Sequence, residues 1–145
     1  MRKKYEKKVL SRIFDYVVAT YKKINQDSFI LGDCMYNYKC HINSIQRVKN
    51  GSAQKVYVCI AVKKTDWQTI IVHFINQLEN GEFQDNTWGW VYEDYDYYIV
   101  KELDVSEMKN SALGEVFNGT KESLVSANSN TILRKIFGIK ASDLI

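Results

Sequence analysis

Cys40, His73 and Asp85 combine a thiol, an imidazole and a carboxylate, the groups needed for nucleophilic acyl transfer. A thiolate attacks a carbonyl carbon. A histidine takes a proton and later returns it to a leaving group. A carboxylate holds the imidazole's tautomer and orientation. Cys40 opens the stretch CHINSIQRVKNG, so the thiol falls at a predicted helix start. Unpaired backbone N–H groups and the positive end of the helix dipole both favour the charged sulfur there. The same N–H groups can supply part of an oxyanion hole. Asn43, one turn into the helix, is placed to cap or brace the cysteine loop.

The elements that must position these groups follow from periodicity. In residues 40–49, Ile42, Ile45 and Val48 share a helical face, and Gly51 suits the stop. Residues 4–24 read as an amphipathic helix, with Val9, Ile13, Tyr16, Val17 and Ile24 at helical spacing. Val56, Val58, Ile60 and Val62 alternate as in a strand. TIIVHFINQ is a near-continuous β-branched run, as in a strand buried on both faces, and it carries His73. Glu79-Asn80-Gly81 marks a hairpin turn, after which Phe83 to Val91 should return antiparallel. Tyr97 to Leu103 reads as a further strand. Helical segments follow around 106–117, 120–127 and 130–137. This order predicts a single α+β domain over residues 1–145, with N-terminal helices on an antiparallel β-sheet and short C-terminal helices.

The turn decides which residue can meet His73. A three-residue loop, Glu79-Asn80-Gly81, pairs Leu78 with Glu82 and sets Asp85 opposite Ile75. Asp85 is then diagonal to His73 on the same face, about 7–8 Å away along the backbone. A two-residue Asn80-Gly81 turn moves the register by one and exchanges the faces. Asn86 would then share the face with His73. Both residues can orient a histidine.

With these residues in place, the chain resembles transglutaminase-like proteins of the broad papain-like cysteine fold. The resemblance rests on CHINS at 40–44, HFIN at 73–76 and QDNTWG at 84–89, and it spans roughly residues 30–100. Asp85-Asn86-Thr87 matches the Asp-x-Thr often found there. The Cys-His-x-Asn start is also similar to small proteins of this fold found in phages and mobile elements. The resemblance implies a cysteine hydrolase or acyltransferase acting through a thioester: amide or peptide hydrolysis, deamidation or transamidation. It implies Cys40 as nucleophile, His73 as base and Asp85 as orienting acid, with an oxyanion donor just upstream of Cys40, for which Asn37 is the candidate, a protein or peptide amide as substrate and no cofactor. The chain departs from the pattern in flanking Cys40 with Lys39 and His41. Gly32-Asp33-Cys34 is a second Gly-x-Cys start, so Cys34 is an alternative nucleophile, though no helix obviously follows it.

Other readings stand beside this one. Cys59 alternates with Val58 and Ile60, as a core residue would. His41 neighbours Cys40 and should point elsewhere on the helix, as a surface or capping residue. Cys34, Cys40, His41 and His73 could supply four zinc ligands, but without the tight spacing of known sites. The acidic run Glu93-Asp94-Tyr95-Asp96 lacks the spaced oxygen ligands of a calcium loop. Three cysteines in 145 residues, net charge +3 and no long apolar run fit a cytoplasmic, reduced protein without membrane contact. Residues 1–23 hold eight Lys/Arg against two Asp/Glu, whereas 82–107 hold eight Asp/Glu against one Lys. A basic helix can touch nucleic acid, but no nucleic-acid motif accompanies it, and a solvated face is the simpler reading. A non-catalytic binding or inhibitor module of the same fold is the rival reading. It would use the basic helix or the aromatic stretch from Trp88 to Tyr98 to hold a protein or small ligand.

Overall fold

Alternation of Val56, Val58, Ile60 and Val62 builds strand β2 (Lys55–Lys63), and the β-branched run builds β3 (Asp66–Gln77). The computed structural model describes the backbone of residues 1–145 and the side chains of all but Asn110, Ser111 and Leu113. β2 and β3 pair antiparallel, with Cys59 opposite His73 and Val58 opposite Phe74. Strand β5 (Tyr95–Glu102) lies on the other side of β2, with β1 (Lys22–Lys23) beyond it and β4 (Phe83–Gln84) outside β3. The sheet order is β1-β5-β2-β3-β4, and every pairing is antiparallel.

Both faces of the central strands are covered. Val56, Val58, Ile60, Val72 and Phe74 pack against helix α1 (Arg2–Thr20) through Val9, Ile13 and Val17, and against helix α3 (Asn110–Asn128) through Leu124 and Val125. On the opposite face Cys59, Ala61, Ile75 and Tyr97 meet Ile24 and Phe29, under Phe83 of β4 and the segment that carries Trp88 and Tyr92. This two-sided burial explains the near-continuous apolar run of β3. Helix α2 (Cys40–Lys49) closes the edge of β3, and α4 (Thr131–Phe137) follows α3. The architecture is therefore α+β, with N-terminal helices against an antiparallel sheet and helices at the C-terminus.

Three expected boundaries differ. The first helix was expected over 4–24 but ends at Thr20. Lys22 and Lys23 pair with β5 instead, and the Ile24 N–H donates to the Tyr97 carbonyl at 2.8 Å. Sheet pairing overrides the helical period there. The return strand expected over Phe83 to Val91 stops at Gln84. Asp85 turns the chain by accepting the N–H groups of Thr87 and Trp88, and a 3₁₀ turn over Gly89–Asp94 follows. The segments expected around 106–117 and 120–127 are one continuous helix, α3, which carries Gly114 and Gly119 within it.

The short β4 leaves the rest of the β3 edge without a strand partner, and α2 uses it. Ser44 Oγ donates to the Phe74 carbonyl at 3.1 Å, and Asn76 Nδ2 donates to the Ser44 carbonyl at 2.8 Å. The loop before α2 is tied to the turn after β4. The Asp33 N–H donates to Asn86 Oδ1, and the Met35 N–H to the Asn86 carbonyl. Asp33 also pairs with Arg47 of α2.

Gly32 passes so close to Asp85 that a Cβ would lie 2.4 Å from the Asp85 carbonyl oxygen. Backbone must move to admit a methyl group. Gly32→Ala should therefore cost about 1–3 kcal/mol, measured as a lower urea midpoint with an unchanged slope. An unchanged midpoint would show that the loop yields freely.

Candidate functional site

The sheet face under the loops places His73 beside Asp85. The observed register continues the three-residue loop: Leu78 N–H donates to the Glu82 carbonyl, Gln77 pairs with Phe83 and Asn76 with Gln84. Asp85 thus lands on the His73 face. His73 Nε2 donates to Asp85 Oδ2 at 2.8 Å. The Tyr97 hydroxyl donates to the same oxygen at 2.7 Å. Asp85 Oδ1 accepts the backbone N–H groups of Thr87 at 3.0 Å and Trp88 at 2.9 Å. The carboxylate is fully buried, and its four acceptor positions are filled.

Cys40 starts α2 beside β3, 6% exposed. With Nε2 committed to Asp85, Nδ1 is the ring nitrogen left to face the thiol. Burial pushes the Cys40 thiol up, but hydrogen bonds from His41 and His73, the charge of His73 and the Phe74 N–H outweigh it and bring the pKa down to about 6. Burial likewise pushes His73 down, but the charge and hydrogen bond of Asp85, then those of Cys40, raise it to about 10. Asp85 is pushed up by burial, yet His73, the Trp88 N–H and Tyr97 hold it below the usual carboxylate range. At neutral pH these directions favour a thiolate beside an imidazolium. The Trp88 ring stacks on His73 at 3.8 Å between centroids and 14° between planes, which shields the imidazole from water.

The other candidates separate by role. Asn86 is buried on the opposite side of the turn, where its Nδ2 donates to Asn76 Oδ1 at 3.0 Å and its Oδ1 accepts from Asp33. It braces loops and does not reach His73. Asn43 Nδ2 donates to the Tyr36 carbonyl at 2.8 Å and to Thr87 Oγ1 at 2.9 Å, tying the cysteine loop to the residue after Asn86. Asn37 lines the cleft beside Cys40, with its Oδ1 accepting the Tyr38 N–H. Cys34 is exposed on the loop, its thiol directed to the Trp88 carbonyl at 3.3 Å, and it does not line the cleft. Cys59 is fully buried, and burial pushes its thiol well up. His41 is half-buried beside the start of α2. Its ring packs on Phe74 and Phe117.

Cys40 and His73 open onto a cleft of about 510 Å³, walled by Asn37, Trp88, Phe117 and Lys121 among others. Among the described residues, no three His, Cys, Asp or Glu side chains converge as metal ligands. Asp96 of the acidic run instead pairs with Lys23 at 3.1 Å. No helix among the described residues is long and apolar enough to cross a membrane.

Tyr97, His41 and Lys121 are site neighbours that residue spacing did not reveal. Tyr97 reaches Asp85 from β5, two strands from β3, so the contact depends on the sheet order. Trp88 was legible in the QDNTWG run and in the aromatic stretch, but not as the ring that covers His73. The arrangement defines a buried thiol–imidazole–carboxylate cluster on an α+β scaffold. No family model, curated protein or solved structure matches the chain.

Removing the Tyr97 hydroxyl tests the carboxylate's environment. Asp85 is held low in the folded state, so its stabilisation is present above the unfolded carboxylate pKa and is lost as pH falls through the folded value. Tyr97→Phe raises that folded value. It should cost about 1–3 kcal/mol at neutral pH and move the acid-unfolding midpoint, followed by circular dichroism, to higher pH. An unmoved acid midpoint would mean that Tyr97 contributes nothing to holding the charge.

Proposed function

We propose that this chain is a cysteine-dependent acyl-transfer enzyme of papain-like, transglutaminase-like type, acting on protein or peptide amides. The observation that carries this reading is His73, bound to buried Asp85 at 2.8 Å and lining the same cleft as the Cys40 thiol. In this scheme the Cys40 thiolate attacks the amide carbonyl. The tetrahedral oxyanion forms near the unpaired N–H groups at the start of α2 and the Asn37 amide. The C–N bond breaks, and the His73 imidazolium gives its proton to the departing amine. Water or a second amine then enters and loses a proton to neutral His73. It attacks the thioester carbonyl and releases the acyl product. The cycle returns Cys40 as thiolate and His73 as imidazolium. Asp85 stays ionised throughout, fixing the ring and offsetting its charge. Trp88 and the cleft walls keep bulk water from the pair.

A binding module of the same fold is the second reading. Its support is the exposed rim of Leu31, Tyr36, Tyr38 and Trp90 on neighbouring loops. Such a module would retain its binding after Cys40→Ala, whereas an acyl-transfer enzyme would lose its turnover.

Alkylation by iodoacetamide, read at each cysteine by peptide mass spectrometry against pH, tests the pair directly. Cys40 should label with an apparent pKa near about 6. His73→Ala removes two of the influences that lower it, so the labelling profile should move toward the ordinary thiol value of about 8.5. Asp85→Asn should shift the profile in the same direction. Slow labelling of Cys40 that ignores His73 would leave the thiol a core residue and sink the enzymatic reading.

A further inference from the structure

We infer that Lys121 forms an anion-recognising subsite in the Cys40 cleft, so that the acyl ligand accepted there carries a carboxylate next to an apolar body. This inference rests on the acyl-transfer reading of Cys40 and names the substrate class of the same site. Lys121 lies on α3, one turn after Phe117, and both side chains wall the cleft that holds Cys40 and His73. The ammonium sits 4.4 Å above the centre of the Phe117 ring, which fixes its direction without neutralising it.

No carboxylate pairs with Lys121 among the described residues, whereas Lys23, Lys55 and Lys101 each hold one. Lys121 is half-buried, and burial presses its pKa below the ordinary lysine value, while the Cys40 charge acts the other way. A partly desolvated cation without a carboxylate partner, in a cleft that also contains a nucleophile, is a ready partner for an anionic ligand group. The opposite walls come from Ile71, Val91 and Trp88 and suit a hydrocarbon portion. The cleft therefore combines an apolar trough, a fixed positive charge and the thiol.

Two alkylating reagents of nearly equal shape isolate the charge. Iodoacetate and iodoacetamide both form a bond from Cys40 Sγ to the reagent methylene as iodide leaves. They differ in a carboxylate against a neutral amide. The same thiolate attacks both, so a change in thiolate fraction cancels in the ratio of their rates. At about pH 8, where the thiolate dominates, Lys121→Met should lower the iodoacetate-to-iodoacetamide rate ratio at Cys40 by roughly fivefold. Lys121→Arg should keep the ratio near wild type. Raising salt to about 0.5 M should narrow the difference between wild type and Lys121→Met. Circular dichroism and thermal midpoints confirm that both variants fold. An unchanged ratio in a folded Lys121→Met protein, with Cys40 still reacting quickly with iodoacetamide, overturns the subsite and leaves the acyl-transfer reading intact. Failure of Cys40 to react with either reagent in the wild type overturns both.

Discussion

A charged carboxylate in the core is the constraint around which the site is arranged. Asp85 is fully buried, and an unpaired carboxylate there would be prohibitively desolvated. Four donors from three parts of the chain make it tolerable: the His73 ring, the Tyr97 hydroxyl and the backbone of Thr87 and Trp88. Each donor is itself fixed by structure. β3 aims the ring, β5 aims the hydroxyl, and the turn after β4 aims the two N–H groups. A saturated carboxylate cannot rotate without losing a bond, so the imidazole that it holds is fixed too. Trp88 then covers the ring with the side chain of a residue whose backbone already binds Asp85. One short segment therefore both anchors and shields the histidine.

Where β4 ends matters as much as where it pairs. An antiparallel strand that continued past Gln84 would occupy the β3 edge beside His73 and Phe74. Because the turn begins at Asp85, that edge is open to α2. The helix start can then approach the backbone at Phe74, whose N–H helps to hold Cys40 charged and whose carbonyl accepts from Ser44. Exposed strand edges are a liability in general, and here a helix covers one with side-chain and backbone hydrogen bonds in place of a ladder. Gly32 allows the preceding loop to lie against Asp85, and Asn86, Asn76 and Asn43 fill the polar gaps between loop, helix and turn.

Local rules carried the fold's centre. Helical spacing located the start of α2 at Cys40, and period-two alternation located β2 and β3. The Glu79-Asn80-Gly81 turn set the register that brings Asp85, rather than Asn86, to His73. Each of these depends on neighbours within one hairpin or one helix. What stayed illegible depends on contacts distant in sequence. The helical period of α1 runs through Ile24, and only pairing with β5 shows why the helix stops at Thr20. Alternation in Phe83 to Val91 resembles a strand, but the Asp85 carboxylate bends the backbone before the strand can continue. Tyr97, His41 and Lys121 meet the site through the sheet order and the packing of α3, neither of which is written in local spacing.

The electrostatics of the pair set a pH window for any chemistry it performs. Cys40 is held below an ordinary thiol, so its contribution to folding is present above the unfolded thiol value and is lost as pH falls through about 6. His73 is held above an ordinary imidazole, so its contribution is present below the unfolded histidine value and is lost as pH rises through about 10. Between these limits the charged pair stabilises itself, with Asp85 as the fixed third charge. Replacing Asp85 by an amide would leave the imidazolium with only the thiolate to balance it, in a space closed by Trp88. The ring would then shed its proton at lower pH and the thiol would hold its own to higher pH. A carboxylate at this position thus does more than orient the ring: its charge raises the imidazole against burial, and the imidazole in turn lowers the thiol.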